Sequence, residues 1–178
     1  MCERDLPRQS WEELSQLPEE KKKAFFETHL KRLRIKEISE IRVGDHLVKS
    51  CSILNRVVYE HHFLCTSETP KMIVHYQMVP YSTLLRKPVY EISKWSKIQE
   101  MPIEEYLTDL PLCKVQRVVW PQELKRYPDH EVVRRAKSRL GETEYSLMSN
   151  NCETYIMWCL FDIEHSTQSA SIQVRILF

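Results

Sequence analysis

The chain has 178 residues, with 26 Lys and Arg against 25 Asp and Glu, and a formal net charge of +1. That length supports one domain with a real core, and the balanced charge excludes a long-range field for nucleic acid. Only two glycines are present, Gly44 and Gly141, which excludes a phosphate-cradling loop, and with no membrane-length apolar run or signal-type leader a cytoplasmic protein is expected.

Residues 1–9 are polar. From Ser10 the sequence reads helical, with Ser10 as N-cap and Glu13 as the acid of a capping box. Pro18 interrupts, and the helix is expected to resume over 19–33 with Ala24, Phe25, Leu30 and Leu33 on one side. Its basic residues, Lys21 to Lys23, Lys31, Arg32 and Arg34, make a solvated face or a contact with an anionic surface. Residues 41–48 read as a turn at Gly44 leading into a short strand. A second strand is expected over 53–66, carrying His61 and His62, then a turn ending at Pro70, then a third strand over 72–78 with His75. Residues 89–92 and 114–120 are further strand candidates, with a short helix around 102–110 between them. Residues 129–140 form an amphipathic helix with Val132, Val133, Ala136 and Leu140 inward, closed by Gly141 as its C′ residue. Strands first and helices last predict an α+β domain.

The decisive stretch runs from Tyr145 to Phe161. It begins strand-like, meets Ser149, Asn150 and Asn151, and continues as an apolar helix. With Asn150 as N-cap, Glu153 takes the capping-box position and Cys152 falls in the first turn. Unsatisfied N–H groups and the helix dipole there favour an anion, and the thiolate is the nucleophilic form of cysteine. A cysteine at such a place is otherwise a small buried hydrophobe. Six cysteines, none in CxxC spacing, fit reduced thiols, and no recognisable zinc pattern surrounds the strand histidines.

A thiol enzyme needs a base in contact with the nucleophile and a group that orients the base. Two antiparallel neighbours would bring one histidine of the His61–His62 pair beside His75. Adjacent residues of a strand point to opposite faces, so only one of His61 and His62 can meet Cys152. His29, His46, His130 and His165 have no supporting context.

Four motifs in order resemble those of the lecithin–retinol acyltransferase (LRAT) domain family. These are Gly44-Asp45-His46-Leu47-Val48, Tyr59-Glu60-His61-His62, Ile73-Val74-His75 and Asn151-Cys152-Glu153. The resemblance covers roughly residues 38–168, leaving an N-terminal helical extension (1–37) and a short tail (169–178). It implies a circularly permuted NlpC/P60, papain-like fold: an antiparallel sheet with a C-terminal nucleophile helix. It further implies a cysteine-dependent acyl hydrolase or acyltransferase of phospholipase A1/2 type. The expected intermediate is a thioester, with a phospholipid acyl donor, peripheral membrane contact and no cofactor or metal. On that resemblance Cys152 is the nucleophile, His61 the base and His75 its orienting group, with Tyr59 and Asn151 supporting the oxyanion region. The chain departs from the family in reading Thr154-Tyr155 after Cys152-Glu153, where His-Phe is usual, and His62 where an aromatic residue is common. Those departures motivate an alternative, an LRAT-fold interaction or regulatory protein with little or no activity.

Overall fold

A computed structural model of the chain describes residues 31–53, 56–77, 96–108, 112–120, 126–146, 149–164 and 166, with isolated positions between 13 and 25. Side chains at 51–53, 56–59 and 113 lie outside that description. Six strands make one antiparallel sheet: β1 (Lys31–Arg34), β2 (His46–Ile53), β3 (Arg56–Glu68), β4 (Lys71–Gln77), β5 (Lys97–Pro102) and β6 (Val115–Val119). Their spatial order is β1-β6-β2-β3-β4-β5. Helices α1 (Ile103–Tyr106), α2 (Asp129–Ser138) and α3 (Cys152–Phe161) complete an α+β architecture.

Period-two alternation makes two cores. Val48, Leu64, Val74 and Val118 point to the face covered by α2 and α3, where they meet Val132, Ala136, Tyr155 and Ile156. Leu47, Phe63, Ile73 and Val115 point to the other face, with Ile103 of α1. Both faces are covered, so the central strands carry continuous buried runs, Phe63-Leu64-Cys65 and Ile73-Val74-His75-Tyr76. Apolar residues on every side of α3 follow from the same cause: only Trp158 of its ten residues escapes full burial.

Several sequence expectations are revised. Lys31–Arg34 is a strand, not the end of a helix, and Leu33 is 53% exposed rather than inward. The backbone of β6 needs a partner on its outer side, and β1 supplies it through Lys31↔Val119 to Arg34↔Gln116. Charged side chains on this edge suit a strand that ends the sheet. α2 stops at Ser138, so Gly141 stands beyond the cap; its N–H donates to the Ile98 carbonyl at 2.8 Å. Only a bridge between Ser146 and Asn150 remains of the expected strand near Tyr145. The strand expected at 89–92 and the helix expected from Ser10 fall largely outside the described residues.

Gly44 has φ +83°, and a Cβ there would lie 2.6 Å from Asp129 Cβ and Cγ. Gly141 has φ +87° with nothing within 4 Å. Gly141→Ala should therefore cost only backbone strain, about 1–2 kcal/mol. Gly44→Ala adds a collision at the start of α2 and should cost more. Paired urea-unfolding curves check this, and equal losses would remove the packing role of Gly44.

Candidate active site

Local structure fixes where Cys152 stands. Asn151 is the N-cap of α3: its Oδ1 accepts from the N–H groups of Glu153 and Thr154 at 2.9 and 3.0 Å. Thr154 completes the capping box, its Oγ1 accepting from Asn151 N–H at 2.7 Å. The cap is thus one residue later than the sequence suggested, and Thr154 fills the place assigned to Glu153. Asn150 serves the preceding loop instead, donating through Nδ2 to Glu142 Oε1 (3.0 Å) and the Glu144 carbonyl (2.8 Å). Behind the cap lies a buried polar chain: Asn151 Nδ2 is 3.1 Å from Ser166 Oγ, which donates to Glu153 Oε2 at 2.6 Å.

Cys152 is therefore the first residue of α3, 4% exposed, ahead of the two N–H groups that Asn151 caps. Its thiol donates to the Glu60 carbonyl at 3.8 Å, which sets the sulfur over the middle of β3. Burial pushes the Cys65 thiol up to about 11 and the Cys159 thiol up to about 12, so neither is a nucleophile near neutral pH.

The expected histidines divide between the two faces. His61 and His75 meet, with His61 Nε2 2.9 Å from His75 Nδ1. Both belong to the α1 face: His75 pairs across with Phe63, and both rings lie against Tyr106 of α1. Gln99 Nε2 follows at 3.2 Å from His75 Nε2. Cys152 belongs to the apolar cluster of the other face, with Val48, Leu64 and Val74, and its sulfur lies at the carbonyl of Glu60, the residue before His61. The histidine on the face of Cys152 is His62, in register with Val48. Its Nδ1 is 2.9 Å from His46 Nε2, and His46 Nδ1 accepts from the Trp120 indole N–H at 3.1 Å. His62 Nε2 is buried without a hydrogen-bond partner among the described residues.

Two residues of this chain of contacts, His46 and Trp120, were missed by the sequence reading. His46 carried one signal, an alternation with Val48 that assigns both to the same face of β2. Which strand lay beside it could not be read from spacing. Tyr59 pairs with Cys51 through the backbone, and its side chain is outside the described residues. His29 and His165 are outside as well, and His130 lies exposed in the first turn of α2.

Burial dominates the electrostatics. It holds His46 and His61 well below the ordinary imidazole range, helped by His62 and Arg32 for the first and by His75, His62 and Lys49 for the second. His75 falls to about 4, through burial and then Lys49. Burial also lowers His62, opposed by Glu153 and Glu60 and reinforced by Arg32. All four rings are neutral at pH 7.

The family model for lecithin retinol acyltransferase matches residues 39–165, most of the chain. The chain belongs to the LRAT family. No match was found among curated proteins or among solved structures. LRAT membership associates the chain with acyltransferase-type chemistry on lipids. No helix among the described residues is long and apolar enough to cross a membrane.

The lowered imidazoles set a pH window. As pH falls below 6.5 the unfolded chain takes up protons that folded His75 refuses until about pH 4. The unfolded state then binds more protons, so stability falls with pH across that interval. His75 alone represents on the order of 3 kcal/mol. Urea midpoints should be level above about pH 7 and drop between pH 6.5 and 4, less steeply in His75→Gln. A level profile across the window would contradict neutral burial.

Proposed function

We propose that this LRAT chain is a cysteine-dependent acyl hydrolase or acyltransferase with Cys152 as nucleophile and a phospholipid as acyl donor. The observation that carries the reading is Cys152 at the capped start of α3, with its sulfur at the Glu60 carbonyl beside the two histidines of β3. The LRAT family match supports the class of chemistry. Under this reading the fold is the permuted NlpC/P60, papain-related one, the acyl domain spans 38–168, and contact with membranes is peripheral from the cytoplasm.

His61 takes the thiol proton, and His75, 2.9 Å from it, orients it. The thiolate attacks the ester carbonyl: the S–C bond forms and the carbonyl π pair moves to oxygen. The tetrahedral species collapses, the C–O bond to the glycerol breaks, and the departing alkoxide takes the proton from His61. Water, an amine or an alcohol then attacks the thioester carbonyl; the S–C bond breaks, and the proton given up by the acceptor returns to sulfur. The backbone N–H of Cys152 serves the oxyanion, and Asn151 holds the first turn that presents it. His62 lies on the face of β3 turned to α3.

The departures from the family pattern at His62, Thr154 and Tyr155 favour a second reading, an interaction or regulatory protein that keeps the LRAT fold with little chemistry. One experiment separates the two. After incubation with phosphatidylcholine vesicles, mass spectrometry should show an acyl adduct on Cys152 that is absent in Cys152→Ala. His61→Phe, if stably folded, should slow its formation by at least roughly 100-fold, as loss of a general base does. His62→Phe should slow it by less than tenfold. The absence of any adduct, or equal labelling of Cys159, would favour the second reading.

A further inference from the structure

The family match begins at residue 39, yet the chain before it is tied into the domain. Leu17 and Phe25 pack against the core cluster under α2 and α3. β1 fills the outer edge of β6. A third tie is an ion pair. Arg32 of β1 grips the Glu60 carboxylate with both arms of its guanidinium, Nη1 on Oε1 and Nη2 on Oε2, the second at 2.8 Å. β6 and β2 lie between β1 and β3, so the pair reaches across both. A bidentate guanidinium–carboxylate contact is the ordered kind of ion pair.

Glu60 holds an unusual place for an acid. Its carbonyl accepts from the Cys152 thiol at 3.8 Å, and His61 follows it on β3. Its stretch of β3 is also the less restrained one. The ladder to β4 begins only at Phe63, and the bulge of β2 at Cys51/Ser52 comes one residue after the Ser50↔Glu60 pair. A carboxylate on this residue works against a nucleophile that acts as an anion, because a like charge disfavours the thiolate. Glu153, the residue after Cys152, is the second acid here, and its carboxylate accepts from Ser166 within the cap of α3.

We propose that Arg32 is a positioning residue of the Cys152 site: it draws the Glu60 carboxylate toward β1 and balances its charge, so that the segment before the matched domain is a working part of the site. The inference rests on the acyl-transfer reading only for the use made of the thiolate. Arg32 touches no reacting atom and acts through Glu60. The charges of the pair are felt on the α3 face: Arg32 opposes protonation of His46 and His62, whereas Glu60 favours that of His62. With side chains 36% and 22% exposed, the pair borders solvent, so the charge left by a missing Arg32 is screened and its effect is modest.

The test uses full-length protein and two readouts. Alkylation of Cys152 by iodoacetamide over a range of pH, followed by mass spectrometry, reads thiolate formation without any acyl donor. Acyl-adduct formation from phosphatidylcholine vesicles reads the reaction. Arg32→Gln should move the alkylation midpoint up by about 0.5–1 pH unit and slow acylation at neutral pH by roughly three- to tenfold. Combining Arg32→Gln with Glu60→Gln leaves no carboxylate to balance, and the midpoint should return to that of wild type. Arg32→Lys keeps the charge without the fork and should fall between wild type and Arg32→Gln. Arg34→Gln removes an equal charge from the same strand and should change neither readout. Loss of β1 pairing alone would lower the urea midpoint without giving an alkylation shift that Glu60→Gln reverses. A wild-type alkylation midpoint in Arg32→Gln would overturn the proposal, and so would a double variant that titrates like Arg32→Gln. Should the midpoints move as expected while wild type forms no acyl adduct, the enzyme reading fails and the role of Arg32 stands.

Discussion

The pleat of β3 governs everything at this site. His61 and His62 are neighbours on a strand, so one must go to each side of the sheet. The register with β2 leaves no slack: Lys49↔His61, Val48↔His62 and Leu47↔Phe63 are paired without a bulge, the irregularity falling later at Cys51/Ser52. A one-residue slip would send Phe63 and Cys65 into the α3 face and Leu64 out of it, reversing both cores at once. Packing therefore decides which of the two rings is on the α3 face.

A fully buried histidine is costly unless its nitrogens are occupied. Both pairs meet this demand in part, by the same device, with His62 Nε2 left without a partner among the described residues. A side chain that donates, Trp120 on one face and Gln99 on the other, ends a line of two rings and fixes where each proton is. The α1-face pair is further surrounded by Tyr106 and Phe63, with Lys49 over Tyr106 at 5.1 Å. A nearby cation and an aromatic wall both disfavour imidazolium. On the α3 face the surroundings differ: Glu153 and Glu60 favour the charged form of His62, yet burial outweighs them.

The sequence made legible the elements whose signal is local. The Asn-capped helix at Cys152, the amphipathic run at Val132 and Ala136, and the three early strands all follow from capping and periodicity. The cap moved by one residue because Asn150 and Asn151 are both capable N-caps, and only the loop contacts of Asn150 with Arg139, Glu142 and Glu144 assign their roles. β1 was not legible, since Lys31–Arg34 is charged and exposed throughout and is extended only because β6 has an edge to fill. β5 also went unassigned; Lys97–Pro102 owes its extension to pairing along β4. The site was half legible for the same reason. Cys152 announced itself by its cap, and His61 and His75 by the hairpin that joins them. Linking His62 to His46 and then to Trp120 required knowing that β2 lies between β3 and β6, which is a fact of long-range pairing.

Charge on His62 would be costly. To carry it the ring must break the bond from His46, leave buried donors unsatisfied at about 1–3 kcal/mol each, and add the cost of a charge at a buried site. Glu153 could repay part of this, but its carboxylate already accepts from Ser166 at 2.6 Å within the cap of α3. Turning it toward His62 would loosen the turn that presents Cys152. The polar groups at the start of α3 are thus committed to one another: Asn151 to the N–H groups of Glu153 and Thr154, and Ser166 to Glu153. Groups held in this way act on charge in proportion to how dry and fixed they are.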